Sequence, residues 1–157
     1  MHAYIAPVVN RDKTPLMLRQ VPIPYLKDIG PHVIGMLESV VERSNGRWTL
    51  DDMAARFYAG EWQMWIVYDG EYRAVLATEV FTEPSEQKAA RVVFVTGLGA
   101  AGWTKLVEQI EEWARNQGCV RMEMIARKGW AKHLDEYARN RGVAPYKMTH
   151  VLLEKAL

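Results

Sequence analysis

The stretch between Ala90 and Gly129 limits most strongly what this chain can fold into. An apolar run, Arg91-Val92-Val93-Phe94-Val95, meets a turn rich in glycine, Thr96-Gly97-Leu98-Gly99-Ala100-Ala101-Gly102. An amphipathic stretch from Trp103 to Gln117 follows, then Gly118, then a second apolar run from Val120 to Ala126. Trp103, Leu106, Val107, Ile110, Trp113 and Ala114 recur at helical spacing, with Lys105, Glu108, Glu111, Glu112 and Arg115 opposite, so one helix face is core and the other is water. Gly118 falls where a helix ends in a left-handed residue. The predicted unit is strand, helix, strand. Two strands joined by a helix of this length pair in parallel through a right-handed crossover, which puts the glycine turn at the carboxyl end of a sheet strand.

Glycines ahead of a helix let backbone approach a ligand, and the helix's first free amides and dipole favour an anion such as phosphate. Gly97, Gly99, Ala100, Ala101 and Gly102 are the candidates for such a cradle, with a purely structural tight turn as the open alternative. The spacing of Gly97, Gly99 and Gly102 also fits a dinucleotide fingerprint. The second strand, however, runs out through Ile125-Ala126-Arg127-Lys128 with no acidic residue to hold a ribose, so that reading is rejected.

At 157 residues the chain is one domain by size, long enough to bury a substantial core. Its formal net charge of +1 argues against a nucleic-acid partner or a membrane surface, both of which call for a basic excess. One cysteine, Cys119, excludes an internal disulfide, and the histidines at 2, 32, 133 and 150 form no metal-ligand spacing with it, so no metal is expected. There is no charged lead followed by a long apolar run and no stretch of spanning length, and a cytoplasmic protein is expected.

Residues 1 to 31 hold five of the 7 prolines, which excludes a long helix there and leaves a proline-rich arm or an edge strand at Leu16 to Val21. A single domain is expected over 32 to 157. Val33, Ile34, Leu37, Val40 and Val41 predict a first helix over Val33 to Glu42, and Thr49 followed by Asp51 and Asp52 starts a second that ends at Gly60. Trp62 to Val67 and Arg73 to Phe81 flank Asp69-Gly70, the signature of an antiparallel hairpin. The second arm is apolar on both faces, as a central strand covered on both sides must be. After Ala126 come a helix bearing Trp130, Leu134, Tyr137 and Ala138 on one side, a stop at Gly142, and a last strand over Pro145 to Leu153.

The expected class is therefore α/β (α+β): a mixed central sheet with antiparallel strands first and a parallel strand–helix–strand pair after, helices on both faces. In this order, over roughly residues 32 to 157, the chain resembles the GCN5-related N-acetyltransferases. The likeness is carried by Gly97-Leu98-Gly99, Glu112-Trp113-Ala114, Gly118-Cys119 and Leu152-Leu153-Glu154-Lys155. In that family the glycine turn receives the pyrophosphate of acetyl-coenzyme A. The family's loop usually carries Arg or Gln three residues before its first glycine and a leucine three residues after the second; here those places hold Phe94 and Gly102. Where the family often has a tyrosine acid, four residues before the glycine closing the last helix, this chain has Ala138, with Tyr137 beside it. More narrowly, Ala126-Arg127-Lys128-Gly129-Trp130 resembles acetyltransferase-like proteins of tailed phages and prophages.

The resemblance implies acetyl-coenzyme A as co-substrate and an unidentified amine as acceptor. The coenzyme contacts expected are Val95, Gly97, Gly99, Ala100, Ala101, Gly102, Trp103, Arg127 and Trp130, with Lys128 and Lys132 as further phosphate grips. Amine acetylation needs a polarised carbonyl, a route for the amine's proton and an acid for the departing sulfur. Glu79 is the preferred base, because a carboxylate in a two-sided apolar strand is raised in pKa by desolvation; a paired strand-end carboxylate is the plainer alternative. Glu123 is the second choice, against a role as cross-strand partner of a basic residue. Tyr137 is the candidate acid, against a core role beside Trp130 and Leu134. The competing reading is a fold relative without catalysis, a structural or interaction protein in a phage particle or its assembly, located in host cytoplasm or virion, that meets protein partners through its proline-rich arm; under either reading a homo-oligomer is an open alternative.

Overall fold

A computed structural model describes residues 15–97, 106–126 and 128–157. The elements in order are β1 (Met17–Val21), a short 3-10 turn (Ile23–Tyr25), α1 (Leu26–Arg43), α2 (Leu50–Tyr58), β2 (Gln63–Tyr68), β3 (Tyr72–Thr82), β4 (Lys88–Gly97), α3 (Val107–Asn116), β5 (Arg121–Met124) and α4 (Lys128–Arg141). The five strands make one sheet in the order β1-β2-β3-β4-β5. All neighbours are antiparallel except β4 and β5, which are parallel. The connection predicted around α3 is thus present, and β1 forms the edge next to β2.

Strand alternation splits the core in two. Met64, Ile66, Val75 and Ala77 pack with Ile29, Val33 and Leu37 of α1 and Met53 and Phe57 of α2. The intervening residues Trp65, Val67, Ala74 and Leu76 face the other way, onto Val107 and Ile110 of α3 and Leu134 of α4. Burying each such aliphatic or aromatic side chain contributes about 1.5–3 kcal/mol, so the continuous apolar patterning of β2 and β3 makes the sheet a middle layer between two helix pairs.

Local chemistry sets most of the ends. The Thr49 hydroxyl accepts a hydrogen bond from the Asp52 amide at 3.1 Å and starts α2. Gly118, at φ +83°, ends α3 while the Cys119 amide donates to the Ala114 carbonyl, the left-handed stop expected of a glycine there. Asp69-Gly70 turns the β2–β3 hairpin, with the Asp69 carboxylate accepting from Arg73 Nε at 2.9 Å.

Two expectations are corrected. The first helix begins at Leu26, not Val33, and runs through Pro31. A proline's steric demand on its predecessor comes largely from that residue's Cβ, and the predecessor here is Gly30. Burial of Leu26, Ile29, Val33, Leu37 and Val40 along one stripe outweighs the lost hydrogen bond. The last strand expected over Pro145 to Leu153 does not form, and those residues run without regular structure. Tyr146 is instead tied to α3, its hydroxyl donating to Glu111 at 2.6 Å, and Val151, Leu152 and Leu153 are exposed.

Candidate functional site

β4 pairs with β5 only from Ala89 to Val92, opposite Arg121 to Met124. The Ile125 amide makes one further bond to the Val92 carbonyl at 3.1 Å. Immediately beyond, the register with β3 slips: Thr78 lies opposite Val92 and Ala77 opposite Phe94, so Val93 is an extra residue. Such a bulge bends its strand and increases the local twist. From Val93 to Gly97, β4 continues in the ladder with β3 while β5 has ended. The pairing of the two parallel strands therefore stops short of the carboxyl end of β4, the end of the sheet at which open sheets with crossover helices bind ligands. Val93 and Phe94 both pack against the α1–α2 layer, and Val92 and Val95 against the α3–α4 layer.

Gly97 closes β4 at φ +112°, and a Cβ there would lie 2.3 Å from the Arg73 carbonyl oxygen and 2.7 Å from Ala74 Cα. Close approach to β3 alone requires this glycine. Gly99, Ala100, Ala101, Gly102, Trp103 and Arg127 lie outside the described residues.

Where β4 and β5 are paired, the register sets Glu79, Arg91 and Glu123 side by side across β3, β4 and β5. Arg91 Nη1 donates to Glu79 Oε1 at 2.8 Å, and its Nη2 to Glu123 Oε1 at 3.0 Å. Trp62 Nε1 donates to the other Glu79 oxygen at 3.2 Å. The Arg91 guanidinium stacks 4.4 Å from the Phe81 ring centroid. Arg121 continues the ladder, donating to Glu123 Oε2 at 2.9 Å and pairing with Glu83. Partial burial pushes the Glu123 carboxyl up, but hydrogen bonds from Arg91 and Arg121 outweigh it and hold the group below the usual carboxylate range. The structure thus brings the two predicted carboxylates together through Arg91, a residue that sequence reasoning missed. Its signal was legible: Arg91 is the one charge in the otherwise apolar run from Ala89 to Val95.

Tyr137 lies apart from the ladder, on the α3–α4 side. Its hydroxyl donates to Glu108 of α3 at 2.8 Å, and Arg141 holds the same carboxylate at 3.1 Å. Desolvation first, then the bond to Glu108, raises the phenol's pKa. Ala138 is buried, and Trp130 packs against the same layer. A second residue missed in the sequence is Arg43, at the end of α1, whose Nη2 donates to the buried Thr96 hydroxyl at 3.1 Å just before Gly97. Among the described residues, no group of three His, Cys, Asp or Glu converges on a metal site, and no helix is long and apolar enough to cross a membrane.

No family model and no curated protein sequence matches the chain. Solved structures do. An aminoglycoside acetyltransferase, meta-AAC0020, from an uncultured soil metagenomic sample, in complex with sisomicin, is 13% identical with a TM-score of 0.62, over 94% of this chain and 100% of its own. The ribosomal-protein-alanine N-acetyltransferase of Brucella melitensis biovar Abortus 2308 is 10% identical with a TM-score of 0.58, over 90% of this chain and 99% of its own. The aminoglycoside N-acetyltransferase AAC(6')-Iy, in complex with CoA, is 12% identical with a TM-score of 0.59, over 91% and 97%. At these identities the likeness is one of architecture, and together with the mixed five-stranded sheet and its two helix layers it gives this chain the fold of the GCN5-related N-acetyltransferases.

Proposed function

We propose that the chain is an acetyl-coenzyme A-dependent N-acetyltransferase acting on an amine. The observation that carries this is the end of the β4–β5 pairing at the Val93 bulge, directly before the glycine-rich segment from Gly97 to Gly102. An extended thioester arm needs such an opening, and its pyrophosphate needs free amides at a helix start. In this reading Val95 and Gly97 border the arm. Gly99, Ala100, Ala101 and Gly102 cradle the phosphates, with Trp103, Arg127 and Trp130 around them.

The reaction forms a bond from the amine nitrogen to the acetyl carbonyl carbon and breaks the carbon–sulfur bond; the nitrogen gives up a proton and the sulfur takes one. Glu79, which accepts from one guanidinium and a neutral indole, is kept as the candidate base, whereas Glu123 is held by two guanidinium groups below the usual carboxylate range. Tyr137 can serve as the acid only after releasing Glu108, since a phenol raised in pKa gives its proton less readily. The acceptor is an amine of unassigned identity. Aminoglycosides are reasonable first compounds to assay, because a structural relative is seen with sisomicin.

Titration with acetyl-coenzyme A, followed by tryptophan fluorescence and melting temperature, tests the proposal. Micromolar binding is expected, and Gly99→Glu should abolish it while the fold persists. Undiminished binding by that variant would remove the phosphate-cradle assignment.

A second reading is a non-catalytic relative, a structural or interaction protein. It is favoured by Ala138, buried where an acid is expected, and by Phe94, which occupies the usual Arg or Gln position and packs edge-on to Phe57 and Trp62. Its phage form rests on Ala126 to Trp130 alone. No response at millimolar acetyl-coenzyme A would favour this reading over the first.

A further inference from the structure

We infer that the acceptor amine also carries a terminal carboxylate, and that Arg43 holds it. The inference deepens the acetyl-transfer reading above and rests on it for the place where the amine reacts. Arg43 ends α1 and reaches down to the sheet: its Nη1 donates to the Ser39 hydroxyl at 2.7 Å and its Nη2 to the Thr96 hydroxyl at 3.1 Å. Both partners are neutral. Among the described residues no carboxylate pairs with Arg43, whereas Arg47, Arg56, Arg73 and Arg91 each have one. A guanidinium offers five N–H donors in a planar fork that matches a carboxylate. Two hydroxyls fix the direction of this fork and leave donors over. A cation that served only the carboxyl end of α1 would not need a hydroxyl 53 residues away in the sequence.

Thr96 is buried and stands next to Gly97, where β4 ends. Its hydroxyl meets α1, whereas Leu106 and Val107 at the start of α3 pack on the other side of the sheet. The phosphates proposed to lie ahead of α3 are therefore on the face away from Arg43, and the acceptor is on its own face. There β4 also carries Val93 and Phe94, half-buried against the α1–α2 layer together with Trp48. Glu79, the candidate base, takes its bond from Trp62 of the same layer. Thr96 lies three places beyond Val93, about 10 Å along an extended strand. The ligand that fits has its amine toward Glu79, a short apolar middle over Phe94 and a negative end at Arg43, which describes an ω-amino acid. A polycation such as an aminoglycoside offers Arg43 nothing to hold.

Calorimetric titration of the full chain with 6-aminohexanoate and with hexylamine tests this, because the two differ chiefly in the carboxylate. The amino acid should bind roughly tenfold more tightly, the worth of one charged hydrogen bond, and Arg43→Met should erase the difference. Equal affinities, a preference for hexylamine, no binding of either, or a preference that survives Arg43→Met would overturn the inference. Arg43 is exposed, so the variant should keep the wild-type melting temperature; if it does not, the comparison of the two probes on the unaltered chain still decides. Acetyl-coenzyme A is titrated separately. Its failure to bind, with the preference for the amino acid intact, would remove the acetyl-transfer reading while supporting the Arg43 site. Loss of coenzyme affinity in Arg43→Met would place the guanidinium on the coenzyme and overturn the inference.

Discussion

At Gly97 a methyl group would collide with the backbone of β3, whereas at Gly70, φ +104°, nothing lies within 4 Å of the added carbon. Gly97→Ala should therefore cost roughly 2–4 kcal/mol from clash and strain together, and Gly70→Ala about 1 kcal/mol from strain alone; urea midpoints of the two variants check the difference. Gly97 was legible in the sequence as a special glycine, but not the reason, since its crowding comes from a strand more than 20 residues earlier. Arg91 presents the same problem. Its charge stands out in an apolar run, while its two partners depend on the register of three strands. Arg91→Met should cost about 1–3 kcal/mol at pH 7, moderated by the ladder's partial exposure. Because Glu123 is held below the ordinary carboxylate range, its contribution is complete above pH ~4.3 and is lost as pH falls through the depressed value. That acid-side loss should shrink in Arg91→Met, as denaturation curves at pH 7 and pH 3 would reveal.

Helix and hairpin ends were legible wherever one residue type does a job that few others can. Thr49→Ala removes the bond to the Asp52 amide and should destabilise by about 1 kcal/mol. The Pro31 region misled because the rule against helical proline is local, while the stripe from Leu26 to Val40 is buried by the sheet. The segment after α4 misled in the opposite direction, since strand-forming residues make a strand only when an edge accepts them. What holds that segment, the Tyr146–Glu111 bond, has its own pH signature. Burial and the bond to Glu111 raise the Tyr146 pKa, and Tyr137 is raised in the same sense. The folded state thus keeps both protons after the unfolded chain begins to lose them, near pH 10. Stability should be unaffected below that pH and fall as pH rises beyond it, less steeply in Tyr146→Phe, in melting curves taken from pH 8 to 11.

For the molecule as a whole, coenzyme at a hundredfold its dissociation constant should add about 2.7 kcal/mol and raise the melting temperature by roughly 5–10 °C. The order of strands and helices was largely legible, because apolar period and glycine punctuation are written locally. The end of the β4–β5 pairing was not, because Val93 is an ordinary strand residue whose extra place exists only against β3. That extra place has a consequence for heredity as well as for geometry. Side chains before and after it keep the faces they would have in an unbroken strand: Arg91, Phe94 and Thr96 toward one helix layer, Val92 and Val95 toward the other. Loss of a single codon, the one for Val93, would therefore turn no neighbour around. It would restore an even strand in unbroken register with β3, so the opening proposed here for the coenzyme arm would be lost while the core is kept.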